Sequence, residues 1–94
     1  MFSVKDQIVL ITGGSKGIGR GIASAFLEAE AQVFICSRTP PKETLTVNGR
    51  QATFIQADVR DPEQAEALIR QITEQAGRLD TLINNAGGGP PVDS

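Results

Sequence analysis

The sequence has no histidine, no tryptophan and no tyrosine, and it has one cysteine, Cys36. These residues therefore cannot form a Ser-His-Asp triad, a histidine metal site or a tyrosine acid/base. One cysteine excludes an internal disulfide and a multi-cysteine zinc site, and it fits a reducing, cytoplasmic compartment. No apolar run approaches the ~18 residues of a transmembrane helix. Lys5 and Asp6 precede the first apolar stretch, so the start does not read as a signal peptide. Neither charge sign dominates: 9 basic and 11 acidic residues give a formal net charge of −2, which argues against a nucleic-acid partner. What is present is an ordinary globular composition, 39% hydrophobic and 21% charged over 94 residues, enough for one small domain or part of a larger one.

Residues 7–12 (QIVLIT), 32–37 (QVFICS), 52–57 (ATFIQA) and 79–84 (LDTLIN) read as strands. They are short and largely apolar, as strands buried on both faces of a parallel sheet are. Residues 18–31 read as a helix with Ile18, Ile22, Phe26 and Ala29 on its apolar stripe. A second helix is expected from an N-cap at Asp61, with Pro62 in the first helical position and Glu63 and Gln64 behind it. Its stripe is Ala65, Leu68, Ile69, Ile72 and Ala76, and Gly77 stops it. Residues 38–50 read as a loop, because Pro40-Pro41 block helix entry and Asn48-Gly49 signals a turn. The order β, α, β, loop, β, α, β implies right-handed crossovers and a parallel α/β sheet. Phe2, Phe26, Phe34 and Phe54 read as packing residues, and Cys36 as a small buried strand residue.

Between the first strand and the first helix lies TGGSKGIG, with Gly13, Gly17 and Gly19 spaced G-x-x-x-G-x-G. Glycine allows the backbone conformations of a sharp strand-to-helix turn. Bare main chain also lets a diphosphate reach the positive N-terminus of the helix. The third glycine lets the helix pack close to the strand. A plain glycine-rich turn has the same letters, but the place after a strand and before a helix is the context that favours phosphate binding. Lys16 is followed by Gly17 and not by Ser or Thr, so the segment is not the phosphate loop of ATPases.

Thr12-Gly13-x-x-x-Gly17-Ile18-Gly19, Asp58-Val59 and Asn84-Asn85-Ala86-Gly87 together resemble the short-chain dehydrogenase/reductase family in its common single-domain form. The resemblance covers about residues 5–87. The extended, epimerase-like branch spaces its glycines G-x-x-G-x-x-G, which this loop does not match. The resemblance implies a Rossmann-like, doubly wound parallel sheet, of which this chain supplies the N-terminal four-strand portion in the order 3-2-1-4, with residues 87–94 as a Gly/Pro-rich tail. It also implies an oxidoreductase that moves hydride between a nicotinamide cofactor and a small carbonyl or alcohol substrate. Such a protein is expected to be a homo-oligomer when complete. The family puts a fuller helix between the second and third strands than Pro40-Pro41 permits here.

The end of the second strand discriminates NAD from NADP. An acid there would bond the 2′-hydroxyl of NAD, but Cys36-Ser37-Arg38 offers none. Arg38 can pair with a 2′-phosphate, Ser37 can donate its hydroxyl to it, and Lys16 adds a second positive charge. NADP(H) is therefore expected over NAD(H), against the plainer reading of both cations as solvated surface charges. The expected cofactor contacts are Gly13, Ser15, Lys16, Gly17, Ile18 and Gly19 in the turn, and Ser37 and Arg38 after the second strand. By resemblance, Asp58 and Val59 lie at the adenine, and Asn85, Ala86 and Gly87 near the ribose. Asp58 also reads as preparation for the second helix, and Asn84-Asn85 as strand-end structure.

In the family a Tyr acid/base, a Lys four residues later, a Ser and a further Asn carry the chemistry, all beyond the fourth strand. No catalytic residue is assigned here. The expectation is a cofactor-binding half, inactive alone, with an apolar edge at its fourth strand that favours self-association. The alternative is a non-catalytic dinucleotide-binding or regulatory module complete at Ser94, and a third reading is an α/β domain whose glycine loop holds another phosphate ligand.

Overall fold

The computed structural model describes residues 3–85, so Phe2, Ala86, Gly87 and the tail lie outside the described residues. The elements run β1 (Ile8–Thr12), α1 (Gly17–Glu28), β2 (Gln32–Ser37), β3 (Thr46–Val47), β4 (Arg50–Gln51), β5 (Thr53–Gln56), α2 (Pro62–Ala76) and β6 (Thr81–Asn84). β1, β2, β5 and β6 form one parallel sheet in the order β5-β2-β1-β6. Leaving out the short β3 and β4, this is the 3-2-1-4 order expected from the sequence, and the fold is Rossmann-like.

The pleat explains why β1 and β2 are nearly continuous in hydrophobicity. Val9 and Ile11 of β1, with Val33 and Ile35 of β2, point to one face, where they meet Ala23 and Leu27 of α1. Ile8, Leu10, Phe34 and Cys36 point to the other face, against Leu68 and Ile72 of α2. Each large apolar side chain buried this way contributes about 1.5–3 kcal/mol. A helix on each face makes the sheet doubly wound, and it sets the start of α1 beside the C-terminal ends of β1 and β6.

The second helix follows its sequence signals. The Asp61 carboxylate accepts the Glu63 N–H at 3.0 Å, Pro62 takes the first position, and Gly77 closes the helix at φ 88°. Gln64 departs from a capping box: its side-chain oxygen accepts the Asp58 N–H at 2.8 Å, and its amide donates to Asp61. Ile69 sits at the exposed margin of the stripe.

Three expectations are corrected. Helix α1 stops at Glu28, three residues short of the predicted end. Ala31 N–H donates to the Phe26 carbonyl at 3.0 Å and Glu30 N–H to the Leu27 carbonyl at 2.9 Å, with Glu30 at φ 69° where glycine is usual. The buried face of α1 is Gly19, Ala23 and Leu27; Ile18 is 77% exposed, and Ile22 and Phe26 only flank the core. The stretch read as a loop contains the β3–β4 hairpin. Asn48 at φ 52° and Gly49 at φ 80° supply the two left-handed positions of its turn. Leu45 and Ala52 are buried at its base, the Ala52 N–H donating to the Leu45 carbonyl at 2.9 Å, and Val47 packs on the α1 side of the core.

Candidate cofactor site

The bend between β1 and α1 is closed below and open above. Gly13 and Gly17 adopt φ 68° and 62°, a left-handed geometry that side chains resist. Gly13 N–H donates to the Cys36 carbonyl at 2.8 Å, which ties the bend to the end of β2. A Cβ at Gly14 would lie 2.6 Å from the Ile35 side chain, and one at Gly19 only 2.1 Å from the Gly13 carbonyl oxygen. These two glycines let the main chain fold tightly onto the strand ends. A Cβ at Gly17, by contrast, would meet nothing within 4 Å. The helix beyond the bend begins at N-cap Lys16 with no side-chain cap and no acid in its first turn. Helix α2 satisfies its own start with Asp61 and Glu63. The first amides and positive end of α1 are thus left for an anion.

Residues at the end of β6 brace this bend. Thr12 Oγ1 donates to Asn84 Oδ1 at 3.0 Å and accepts the Asn85 N–H at 2.9 Å, and Asn85 Nδ2 donates to the Gly13 carbonyl at 3.2 Å. The strand-end reading of Asn84-Asn85 is what the structure displays. The expected ribose contacts at Ala86 and Gly87 fall outside the described residues.

A cleft of about 600 Å³ opens between the glycine bend and residues 37–43. Gly13, Ser15 and Lys16 line one side, and Ser37 and Arg38 begin the other, so five of the expected contacts meet in one place. The Ser15 and Ser37 hydroxyls bond each other, and both reach the Thr39 carbonyl, Ser37 at 2.5 Å and Ser15 at 3.3 Å. Ser37 must turn its hydroxyl away from Thr39 to donate to a phosphate. Gly17, Ile18, Gly19 and Asn85 do not line the cleft; the first three form the start of α1 next to Lys16.

The cations of the molecule divide sharply. Lys5, Arg50, Arg60, Arg70 and Arg78 each have a carboxylate oxygen at 2.9–3.9 Å. Lys16, Arg20, Arg38 and Lys42 have none among the described residues, and all four line the cleft. Arg20 and Lys42 were not among the residues expected from the sequence. Arg20 lies behind the glycine motif and Lys42 behind two prolines; no local pattern joins them, and only the folded chain does.

The Asp58 carboxylate is paired with Arg60. Its Oδ1 accepts the Arg60 N–H and Nε at 3.0 Å each, and its Oδ2 accepts Nη2 at 2.9 Å. These bonds, with a smaller contribution from the nearby Arg38 charge, hold the Asp58 carboxyl down at about 2. Neither Asp58 nor Val59 lines the cleft, and Val59 packs against the α2-side core. Burial pushes the Cys36 thiol up to about 11, in keeping with a packing role.

A parallel doubly wound sheet with an open, uncapped glycine bend at its C-terminal edge defines a Rossmann-like α/β protein. Comparison with known sequences narrows the class: a family model described as short chain dehydrogenase matches residues 7–94, and the chain belongs to that family. It is 40% identical over 96 residues to an uncharacterized oxidoreductase of Mycobacterium tuberculosis, covering 97% of this chain and 36% of that protein. It is 41% identical over 87 residues to L-fucose dehydrogenase of Oryctolagus cuniculus, covering 92% of this chain and 31% of that one. A solved short chain dehydrogenase of Leptospira borgpetersenii with bound NAD+ superposes with a TM-score of 0.77 at 30% identity, over 90% of this chain and 33% of that one. The chain spans about a third of the length of the curated relatives it matches. Among the described residues, no helix is long and apolar enough to cross a membrane.

Proposed function

We propose that residues 1–94 are the N-terminal, NADP(H)-binding portion of an oxidoreductase that acts on a small carbonyl or alcohol substrate, as a cytoplasmic homo-oligomer when complete. The bound cofactor supplies the hydride chemistry. The residues of this chain bind and orient it: the open bend around Gly17 and the uncapped start of α1 receive the pyrophosphate, and Asn85 holds the bend in place through the Gly13 carbonyl. Lys16, Ser37 and Arg38 receive the 2′-phosphate. The observation that carries the preference for NADP(H) is the cleft itself, where Lys16 and Arg38 have no carboxylate at ion-pair distance among the described residues and positions 36–38 hold no acid, Glu43 on the far wall being the one carboxylate residue of the lining. NAD+ is the ligand of the Leptospira protein; the preference for NADP(H) rests on this chain's own residues at the end of β2.

The double variant Arg38→Asp with Lys16→Ala, in the protein carrying this sequence, tests the reading. Loss of two charge-assisted contacts and gain of a repulsive carboxylate should weaken NADPH roughly 10- to 100-fold more than NADH. An unchanged ratio of the two affinities overturns the preference for NADP(H).

A further inference from the structure

The segment that forms the outer wall of the cleft is tied at both ends. At its front, the Ser15 hydroxyl reaches the Thr39 carbonyl at 3.3 Å, a tie that stays when Ser37 turns its own hydroxyl from Thr39 toward a phosphate. Behind it, Arg20 Nη1, from the first turns of α1, donates to the Glu43 carbonyl at 3.2 Å. Pro40 and Pro41 stiffen the backbone between these ties, and buried Leu45 anchors the chain just beyond Glu43. Lys42 stands on this fixed wall with its backbone held from both sides. Its side chain is exposed, lines the cleft and has no carboxylate partner among the described residues. A cation on a restrained loop loses less freedom on meeting an anion than one on a mobile loop.

We infer that Lys42 is a third phosphate-binding cation of the cleft, and that Arg20 is a positioning residue that holds Lys42 there through the Glu43 carbonyl. The inference rests on the reading of the cleft as a 2′-phosphate site. A phosphate monoester carries about −1.5 to −2 charges at neutral pH, enough to engage Lys42 alongside Lys16 and Arg38.

Titration of NADPH and NADH into the parent protein and into Lys42→Ala, Arg20→Ala and the double variant tests it, with thermal unfolding recorded to verify that each folds. Lys42→Ala should weaken NADPH about fivefold, the upper range for an exposed charge pair, leave NADH within about twofold, and flatten the salt dependence of NADPH binding. Arg20→Ala should also weaken NADPH selectively. Because it acts through Lys42, it should add little once Lys42 is gone. Equal effects of Lys42→Ala on both cofactors, or none, overturn the role of Lys42. Fully additive effects overturn the positioning role of Arg20 alone. If Lys42→Ala is silent while the Arg38/Lys16 variant shifts the ratio, the 2′-phosphate reading stands without Lys42. If the parent protein binds both cofactors alike, the reading and this inference fall together.

Discussion

Gly19→Ala is the sharpest single perturbation of the bend. The new Cβ would sit 2.1 Å from the Gly13 carbonyl oxygen, 2.7 Å from Asn85 Nδ2 and 2.9 Å from the Gly13 carbonyl carbon. Ordinary contact begins near 3.4 Å, so relief needs a shift of more than an ångström, and two of the three obstacles are backbone atoms. The start of α1 must move off β1, or the bend must move and release the bond from Asn85 Nδ2 to Gly13. Overpacking costs about 1–3 kcal/mol, and the lost hydrogen bond about 1 kcal/mol. Better helix propensity returns about 1 kcal/mol. The net is a loss of about 1–3 kcal/mol, read as a lower urea midpoint, together with loss of cofactor binding. Gly21→Ala is the control: it lies in the same helix, is exposed, and its Cβ would meet nothing within 4 Å. It should stabilise by up to about 1 kcal/mol and leave affinity unchanged. A Gly19→Ala protein as stable as its parent, with full affinity, refutes the close-packed bend.

Other predictions concern groups away from the bend. Asp80 accepts the Ile8 N–H at 2.8 Å and pairs with Arg78 at the opposite end of the strands, so Asp80→Ala should lower the urea midpoint and spare cofactor affinity; an affinity change would show that the two ends are coupled. Backbone and arginine donors hold the Asp80 carboxyl below the usual range, and Arg60 holds Asp58 at about 2. Both depressed carboxyls contribute stability that is present above the ordinary carboxylate value of about 4 and lost as pH falls through their lowered values, about 2 for Asp58. The urea midpoint should therefore be flat down to about pH 5 and fall below it, and a midpoint that rises on acidification contradicts the assignment. Cys36, buried with its thiol near 11, should resist iodoacetamide in the folded protein and react in urea; rapid labelling without urea contradicts its burial.

The strand segments, the two helical crossovers and the place of the glycine bend were legible because they depend on local signals, apolar runs, Asp61-Pro62 at one helix start and Gly77 at its end, whereas the strand order came with the family resemblance, since pairing across a parallel sheet is not local. The register of α1 was not legible. Hydropathy gives weight to Ile18 and Ile22, yet close approach to the strand ends requires the small face of Gly19 and Ala23, which leaves little hydrophobic signal. The hairpin after residue 45 was hidden because strands of two residues carry no alternation, although Asn48-Gly49 marked its turn. Lys16 and Arg38 were readable from spacing to the bend and the end of β2. Arg20 and Lys42 were not, since the bond from Arg20 to Glu43 spans 23 residues and exists only once α1 lies against the wall. The hold of Arg60 on Asp58 had a faint signal, an arginine two residues from a carboxylate, outweighed by the stronger cap pattern at Asp61.

Calorimetric titration of NADPH and of NADH into the unmodified protein, at one ionic strength, tests the central claim most directly. The cleft cations, which have no carboxylate partner among the described residues, predict that NADPH binds at least about tenfold more tightly, a difference of roughly 1.4 kcal/mol, and that the gap narrows as salt is raised. Equal affinities, or tighter binding of NADH, would contradict it.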